Sequence, residues 1–338
     1  MADLSSSMSD ARLLLNKIGR EADFELLPLD GGRNNRVAKI LFADAEPLVL
    51  KSYFHSPNDT RDRLGAEYAF LEMAWNKGVR SIPQPLASDP ARHTGLYTFV
   101  AGQKLEPGEV QQGHVDAAID FVISVNDGQT SSGLPFASEA CFSVDAHLKT
   151  VASRVARLAD LDAEAPHVDE AAALIETRIL PLWQQVSAGI GATMDEPSLR
   201  APITQRVASP SDFGFHNALV NADGVVFLDF EYAGVDDPAK LVCDFFCQPE
   251  IPVNSEFFDH FVERIAQITV DPADFENRAK SLLSAYRIKW LCIMLNEFAS
   301  AGRQRRHFSG GEDGWARRCA AQLVKANEGL DILSGEML

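Results

Sequence analysis

Three side chains that carry oxygen atoms flank a short predicted hairpin in the sequence. Asp212 and Asn217 fall in the segment Ser-Pro-Ser-Asp-Phe-Gly-Phe-His-Asn, and Asp229 follows the apolar run Val-Val-Phe-Leu. The residues between them, 218–228, predict two short antiparallel strands joined by a tight turn. Such a hairpin places Asn217 opposite Asp229, so all three side chains can converge.

This convergence would suit a hard cation and a proton transfer. An amide oxygen and a carboxylate oxygen are ligands that magnesium accepts, together with oxygens of substrate phosphates. Asp212, in the loop just before the hairpin, could receive the proton of an attacking hydroxyl. The spacing Asp-x-x-x-x-Asn followed by a later metal-binding Asp is the arrangement of kinase-like phosphoryl transfer. Alone the spacing is weak, because Asp and Asn also form ordinary turns and helix caps.

The amino-terminal third contains a lysine and a glutamate on apolar faces. Residues 47–53 predict a strand with Lys51 on its apolar face, and residues 60–77 predict a helix with Glu67 on its inward stripe. A kinase site uses such a pair to hold nucleotide phosphates. Because either charge buried alone is costly, a Lys51–Glu67 ion pair is the simplest arrangement. The alternative is a snorkelling lysine and a helix-edge glutamate.

A short glycine-containing segment precedes the lysine strand. Gly31 and Gly32 permit positive φ and let backbone N–H groups approach a phosphate closely. An ordinary hairpin turn is the alternative, because the segment matches neither common glycine-rich phosphate loop. Its position ahead of Lys51 favours nucleotide binding by Gly31, Gly32 and Asn35.

Taken together, these residues resemble the aminoglycoside phosphotransferase and choline kinase superfamily, whose members share the protein-kinase-like fold. The resemblance covers nearly the whole chain in order, through Gly31-Gly32-x-x-Asn35, Lys51, Glu67, a linker strand at 97–102, Asp212 to Asn217, and Asp229-Phe230-Glu231. It implies a two-lobed α+β fold. The first lobe, at residues 1–100, would bind nucleotide on an antiparallel sheet with one main helix. The second, at residues 101–338, would be mostly helical and carry the catalytic loop and the acceptor pocket.

The resemblance also implies a role for each matched position. Asp212 would be the catalytic base, and Asn217 and Asp229 would hold magnesium. Lys51 would bind the α- and β-phosphates of ATP, and Glu67 would orient Lys51.

The segment that connects the two predicted lobes would meet the adenine. Residues 96–100 predict the last strand of the first lobe, and Ala101 and Gly102 a flexible crossing whose backbone groups would hydrogen-bond the base. Phe99 and Val100 are therefore placed with the nucleotide-binding residues.

The same resemblance bears on several further positions. Glu231 could help to hold a second magnesium ion or the acceptor, and the phrase at 228–234 is particularly like the choline and ethanolamine kinase branch. The family usually has a histidine two residues before the base, where this chain has Pro210. That histidine mainly supports the loop, and the fixed φ of proline could stiffen the same turn. We expect His216 to pack or bond locally and Asp244 to brace the catalytic loop.

The acceptor pocket is predicted in the helical lobe, facing the base. Tyr286, Trp290 and Glu297 fall on a predicted helix at intervals that give them one shared face. In the choline kinase branch, aromatic and acidic groups from this region surround a quaternary ammonium, which aromatic faces attract. The alternative is an ordinary packed stripe, which helical spacing also produces.

Composition agrees with this interpretation and excludes other classes. A formal net charge of -17 over 338 residues argues against a nucleic-acid partner, because phosphate backbones are bound by clustered lysine and arginine. Five scattered cysteines are expected to be reduced core residues. With neither a secretory signal nor an apolar run of membrane-spanning length, the sequence predicts a cytoplasmic protein without a membrane partner. The oligomeric state is not predicted.

The sequence therefore predicts an ATP- and Mg²⁺-dependent kinase that transfers the γ-phosphoryl group to a hydroxyl of a small molecule. Choline or ethanolamine is the first acceptor, and an aminoglycoside, another amino alcohol or a sugar is the next. The competing class is a nucleotide-binding pseudokinase with a regulatory role, for which Pro210 is the hint.

Overall fold

The structure of the protein is a computed structural model. It describes residues 2–29, 35–55, 59, 61–128, 133–300 and 314–336. Gly31 and Gly32, predicted to approach the phosphates, lie outside the described residues.

The chain divides into two compact units, and each is formed by two separate stretches of sequence. Unit 1 comprises Met1–Ser138 and Val207–Val235, and unit 2 comprises Glu139–Arg206 and Asp236–Leu338. These compact units are not the same division of the chain as the two lobes of a kinase-like fold. The lobe boundary near residue 100 therefore stays a prediction.

Unit 1 is built around a five-stranded antiparallel sheet. Its strands are β1 (Glu25–Leu29), β2 (Asn35–Leu41), β3 (Leu48–Tyr53), β4 (Pro85–Asp89) and β5 (Thr94–Thr98), in the spatial order β1-β2-β3-β5-β4. The register of the two central pairs sets Lys51 of β3 opposite Val37 on one side and Gly95 on the other. The lysine therefore lies in the middle of the sheet, where both neighbouring strands fix its backbone.

Helices complete unit 1 on the sheet and beside it. Helix α1 (Ala2–Lys17) packs Leu14 and Leu15 against Ile40 and Leu96 of the sheet in one buried cluster. Burial of such apolar side chains contributes roughly 1.5–3 kcal/mol each. The other helices are α2 (Arg63–Asn76) and α3 (Gln112–Asn126).

Helix α2 begins where its sequence provides a cap. The Asp62 side chain accepts a hydrogen bond from the Gly65 N–H at 2.9 Å and so satisfies one free donor of the first turn. The buried face of the helix includes Leu64, Glu67 and Leu71. The predicted inward position of Glu67 is confirmed.

A short hairpin carries the predicted chemistry. Strands β7 (Ala218–Asn221) and β8 (Gly224–Phe227) pair in antiparallel register, with Ala218 opposite Phe227. Phe227 then packs against Phe121 of α3 and Phe213 of the preceding loop, with ring centroids 4.8 and 4.9 Å apart. The predicted hairpin is confirmed, and aromatic packing anchors its open end.

The segment after β5 is fastened to this hairpin. Gln103 and Val220 exchange two backbone hydrogen bonds, of 2.9 and 2.8 Å, and Asn221 donates to the Ala101 carbonyl at 3.0 Å. Gly102 lies so close that a Cβ there would come within 2.9 Å of the Leu219 Cβ. The crossing segment, predicted to be flexible, is thus held on β7 by hydrogen bonds and by a glycine that permits close approach.

Two more short strands complete the β structure. They are β6 (Val207–Ser209) and β9 (Gly234–Asp236), which pair with each other. The division between the units falls within β9.

Unit 2 is helical. Its helices are α4 (Val144–Arg157), α5 (Val168–Leu174), α6 (Leu180–Thr193), α7 (Glu196–Arg200), α8 (Pro238–Cys247), α9 (Phe258–Ala266), α10 (Pro272–Leu295) and α11 (Trp315–Glu336), with a π-helical turn at Ile175–Ile179 between α5 and α6. Helix α10 is the axis of the unit and packs against α4, α6, α8, α9 and α11. The five cysteines, all in unit 2, are free thiols.

The predicted fold class is confirmed as an α+β protein with an antiparallel sheet and a mostly helical carboxy-terminal part. One detail is wrong: α10 ends at Leu295, and Glu297 lies in the following 3-10 turn, so it does not share a helical face with Tyr286 and Trp290. No helix among the described residues is long and apolar enough to cross a membrane.

Candidate active site

The centre of the candidate site is a buried ammonium group between two carboxylates. The Lys51 Nζ lies 2.6 Å from Glu67 Oε2 and 2.6 Å from Asp229 Oδ1. Tyr53, two residues along the same strand, donates its hydroxyl to Glu67 Oε2 at 2.9 Å. The Lys51–Glu67 pair predicted from the sequence is present, and the snorkelling alternative is excluded because the lysine is buried.

Electrostatics keep this lysine protonated. Burial alone would lower the pKa of Lys51, but the charges of Asp229 and Glu67 outweigh it and raise the pKa well above its usual range. Burial also raises the pKa of the Tyr53 hydroxyl, so Tyr53 stays a neutral hydrogen-bond donor. The site therefore presents a fixed positive charge, as phosphate binding requires.

Asp229 is the exposed end of this network. Its side chain is 38% exposed, whereas those of Lys51 and Glu67 are 9% and 5% exposed. Its φ of +64° is in the left-handed region, which is uncommon for a residue other than glycine and is tolerated where the surroundings enforce it. The hydrogen bond from the Leu228 N–H to the Asn217 carbonyl, 2.8 Å long, joins the segment before Asp229 to the loop that precedes the hairpin.

The loop before the hairpin holds Asp212 and Asn217 close together. The Asn217 Nδ2 donates to the Asp212 carbonyl at 3.0 Å, and the His216 Nε2 lies 3.3 Å from Asp212 Oδ1. Asp212 remains 36% exposed. The local contact predicted for His216 is therefore with the candidate base itself.

One residue of this loop has a strained backbone. Ser211 has φ +67°, and its carbonyl accepts a 2.8 Å hydrogen bond from the Phe213 N–H in a tight turn around Asp212. Pro210 comes immediately before the strained residue. Strain of this kind costs about 1–3 kcal/mol and is typical of functional loops.

The oxygens of Asn217 and Asp229 fit the requirements of magnesium. The amide nitrogen of Asn217 is engaged by Asp212, and one carboxylate oxygen of Asp229 is engaged by Lys51. Asn217 therefore keeps its single amide oxygen and Asp229 keeps its second carboxylate oxygen, and neither oxygen accepts a hydrogen bond from the described residues. Among those residues no group of three or more His, Cys, Asp or Glu side chains could hold a metal ion. Two protein oxygens completed by phosphates and water are the usual donor set for Mg²⁺.

The other predicted nucleotide-binding positions lie around the sheet. Asn35 begins β2 and is buried, and its Oδ1 has no hydrogen-bond partner among the described residues. Phe99 and Val100 follow the end of β5, with the Lys39 ammonium 3.7 Å from the centre of the Phe99 ring. Their role in nucleotide binding stays a prediction.

Glu231 differs from its expected surroundings. Its side chain is 3% exposed, accepts a 2.8 Å hydrogen bond from Asn35 Nδ2, and lies 3.5 Å from Arg63 Nε. Such burial favours a structural task over contact with an acceptor or a second metal ion.

Of the predicted acceptor residues, Tyr286 belongs to the interior of unit 2, and Trp290 and Glu297 are half-buried. Tyr286 is completely buried, with its hydroxyl 2.6 Å from His147 Nδ1. Trp290 donates its indole N–H to Asp244 at 2.8 Å, and Glu297 accepts from Arg318 at 3.0 Å. For Tyr286, its burial and this contact favour the packed-stripe alternative over a ligand cage.

Asp244, predicted to brace the catalytic loop, is engaged inside unit 2. It accepts from Lys289 at 2.8 and 2.9 Å in addition to the bond from Trp290. These contacts are sufficient to keep the carboxylate ionised in the interior, because burial would raise the pKa of Asp244 but Lys289 and Lys240 lower it.

Sequence reasoning missed two residues that support the site. Tyr53, on the same face of β3 as Lys51, donates to Glu67, and Arg63 contacts Glu231. A signal existed for Arg63, because it lies four residues before Glu67 and thus on the same helical face.

With the geometry described, sequence comparison defines the class of protein. The model of the family described as "Phosphotransferase enzyme family" matches residues 25–267. The chain belongs to this family, and it is accordingly a phosphotransferase of the small-molecule kinase type. No curated protein matches it in sequence.

Solved structures of similar fold agree with the family. A spectinomycin phosphotransferase in complex with ADP and spectinomycin has a TM-score of 0.62 and 12% identity, over 95% of this chain and 98% of that one. A choline kinase from Streptococcus pneumoniae has a TM-score of 0.57 and 12% identity, over 96% of this chain and 99% of that one. An amicoumacin kinase in complex with AMP-PNP and Ca²⁺ has a TM-score of 0.54 and 13% identity, over 98% of this chain and 96% of that one. At these identities the likeness establishes the fold.

Proposed function

We propose that the protein is an ATP- and Mg²⁺-dependent kinase that transfers the γ-phosphoryl group to a hydroxyl of a small molecule. One observation carries the proposal: the Lys51 ammonium is 2.6 Å from both Glu67 and Asp229, while Asp229 keeps an open oxygen. A buried lysine held by a helix and directed at an exposed carboxylate is the arrangement by which kinases hold nucleotide phosphates.

Each residue then has a distinct task. Lys51 neutralises the α- and β-phosphates, and Glu67 and Tyr53 fix its direction. Asn217 and Asp229 would hold magnesium, which neutralises charge on the transferring phosphates when bound. Asp212 orients the acceptor hydroxyl and accepts its proton, for which its exposed carboxylate is suited. Gly31, Gly32 and Asn35 would contact the phosphates, and Phe99 and Val100 the adenine.

An amino alcohol such as choline or ethanolamine is the first proposed acceptor. The segment Leu-Asp-Phe-Glu-Tyr-Ala-Gly at 228–234 supports it, as does the likeness in fold to a choline kinase. The net charge of -17 would also favour cationic acceptors over anionic ones. An aminoglycoside-like acceptor is the second candidate, supported by the TM-score of 0.62 to a spectinomycin phosphotransferase. A cytoplasmic location and the absence of a nucleic-acid partner stay predictions.

A pseudokinase is the competing class, and the loop around the base is the observation that favours it. Pro210 stands where the family usually has a histidine, and Ser211 next to it is strained. A loop supported in this way could bind nucleotide without catalysing transfer.

The test is a Mg²⁺·ATP assay with choline, ethanolamine, other amino alcohols, aminoglycosides and sugars as acceptors. The Asp212→Asn variant is assayed beside the parent, with Asp223→Asn as control, since Asp223 lies exposed in the turn of the same hairpin. We expect turnover of at least one acceptor, a loss of about 10²- to 10⁴-fold in Asp212→Asn, and no change in the control. Nucleotide binding without transfer to any acceptor would instead identify a pseudokinase.

A further inference from the structure

A second buried ionic contact lies beside the lysine network of unit 1. Arg63 Nε is 3.5 Å from Glu231 Oε2, and the same oxygen accepts a 2.8 Å hydrogen bond from Asn35 Nδ2. The side chains of Arg63 and Glu231 are only 1% and 3% exposed. The contact thus joins three separate parts of the sequence in the interior of the unit.

Helix α2 holds the segment after the hairpin at two points. From Glu67, contacts run through Lys51 to Asp229, over two distances of 2.6 Å. From Arg63, one helical turn earlier, a contact runs to Glu231, two residues after Asp229. Asp229, the proposed metal ligand, is therefore held at its side chain by one contact and through the neighbouring segment of the chain by the other.

Besides this ion pair, two hydrogen bonds of Arg63 make it a rigid support. It donates to Asp59 Oδ2 at 2.7 Å and to the Phe54 carbonyl at 3.2 Å. An arginine held at several points cannot swing away without leaving buried groups unpaired. Its position therefore constrains Glu231.

Asp229 needs support of this kind because its backbone is strained. Its φ of +64° persists only where the surroundings over-determine it. Lys51 contacts the side chain alone, whereas Glu231 is anchored by both Arg63 and Asn35. The second contact therefore supplies the backbone restraint that the first does not.

We propose that Arg63 and Glu231 are positioning residues that hold Asp229 and, through Asn35, the start of β2 in the conformation that binds Mg²⁺·nucleotide. The inference rests on the proposed function and assigns Glu231 a task other than contact with an acceptor or a second metal ion. A group that acts through others in this way typically affects metal affinity or activity by about 10- to 100-fold.

The test compares Arg63→Met, Glu231→Gln and the double variant with the parent. Glu72→Gln is the matched control, because Glu72 lies exposed on the same helix. Arg63→Lys, which keeps the charge, is the conservative variant. Three quantities are measured: the unfolding midpoint without ligand, the affinity for Mg²⁺·AMP-PNP, and the KM for ATP against the KM for the acceptor.

We expect each single variant to weaken Mg²⁺·AMP-PNP binding by about 10- to 100-fold. The KM for ATP should rise and the KM for the acceptor should stay near the parental value. The double variant should bind no more weakly than the worse single variant, since the two residues share one contact. Arg63→Lys should lie closer to the parent than Arg63→Met. Without ligand, the double variant should recover part of the midpoint lost in Arg63→Met, because no unpaired carboxylate remains.

Two results would overturn the inference. If Glu231 bound metal directly, Glu231→Gln alone would weaken Mg²⁺·nucleotide binding and Arg63→Met would not. If the contact only stabilised the fold, midpoints would fall while folded variants bound nucleotide like the parent. Nucleotide binding is measured without an acceptor. A parent protein that binds nucleotide but transfers nothing would therefore refute the proposed function, while the binding data would still test the positioning role of Arg63 and Glu231.

Discussion

Each unit of the molecule contains a buried lysine held by carboxylates, and the two differ in where their contacts end. In unit 1, Lys51 contacts Asp229, whose side chain is 38% exposed. In unit 2, Lys289 contacts Asp244, whose side chain is 5% exposed and also accepts from Trp290. Similar charges at similar distances thus form an accessible site in one unit and a closed support in the other.

The difference separates binding from stabilisation. In a buried ion pair whose donors and acceptors are all bonded within the protein, no group is free to bind a ligand. Breaking such a pair mainly lowers the stability of the fold. A network that ends on an exposed oxygen can exchange water for a metal ion or a phosphate. Charged residues on apolar stripes therefore indicate function only where one partner reaches the surface.

The largest expected effect is on activity, from Lys51→Met. Loss of the ammonium removes the group that neutralises the nucleotide phosphates, and we expect kcat/KM for ATP to fall by about 10³-fold. Steady-state kinetics at saturating acceptor measures it. A variant within threefold of the parent would show that Lys51 does not serve the nucleotide.

The counterpart in unit 2, Lys289→Met, should affect stability instead. Asp244 would keep Trp290 and the more distant Lys240, at 3.5 Å, but lose its principal cation. We expect the free energy of unfolding to fall by about 3 kcal/mol, while the folded protein keeps its kcat/KM. Denaturant titration and kinetics on the same samples separate the two. Loss of activity in a stable Lys289→Met protein would contradict the comparison.

Another closed contact of unit 2, between His147 and Asp237, should also make stability depend on pH. Burial would lower the pKa of His147, but the Asp237 carboxylate, 3.0 Å from its Nε2, and the nearby Cys141 together outweigh burial and raise the pKa to about 9. Since the folded pKa lies above the unfolded value of about 6.5, the stabilisation is complete below pH 6.5 and is lost as pH rises through 9.

Between pH 7 and 10 this loss should reach about 2–3 kcal/mol. Unfolding free energies of the parent and of His147→Gln over this range test it. The variant should be less stable at pH 7, with a flatter profile. Parallel profiles would show that His147 does not titrate as expected.

The smallest effect is expected from Gly102→Ala. The new Cβ would lie 2.9 Å from the Leu219 Cβ and 3.0 Å from the Val220 carbonyl, so the crossing segment and β7 must move apart. We expect a loss of about 1–2 kcal/mol in unfolding free energy. Gly113→Ala is the control, because a Cβ there meets no atom within 4 Å. Equal stabilities of the two variants would show that this contact relaxes freely.

Site residues could be predicted from the sequence where an unusual residue type fell on a clear helix or strand pattern. Lys51 and Glu67 stood out because each charge occupied an apolar face, which pairing alone could explain. The Leu228 N–H, next to Asp229, donates to the Asn217 carbonyl because only a two-strand hairpin separates these positions. Short-range geometry of this kind can be derived from spacing alone.

Contacts between distant parts of the sequence could not be derived in this way. His147 meets Tyr286 across 139 residues, and Asn35 meets Glu231 across 196. No periodicity links such positions. For this reason Tyr286 was interpretable as a cage residue and Glu231 as a metal or acceptor group until their burial was known.

The central claim is that the open oxygen of Asp229 binds the metal ion of Mg²⁺·ATP. Calorimetric titration of AMP-PNP into the parent and into Asp229→Asn, each with and without Mg²⁺, tests it most directly. The account predicts one site in the parent, and affinity at least about tenfold weaker when Mg²⁺ is withdrawn or Asp229 is replaced. Equal affinity in all four titrations would contradict it.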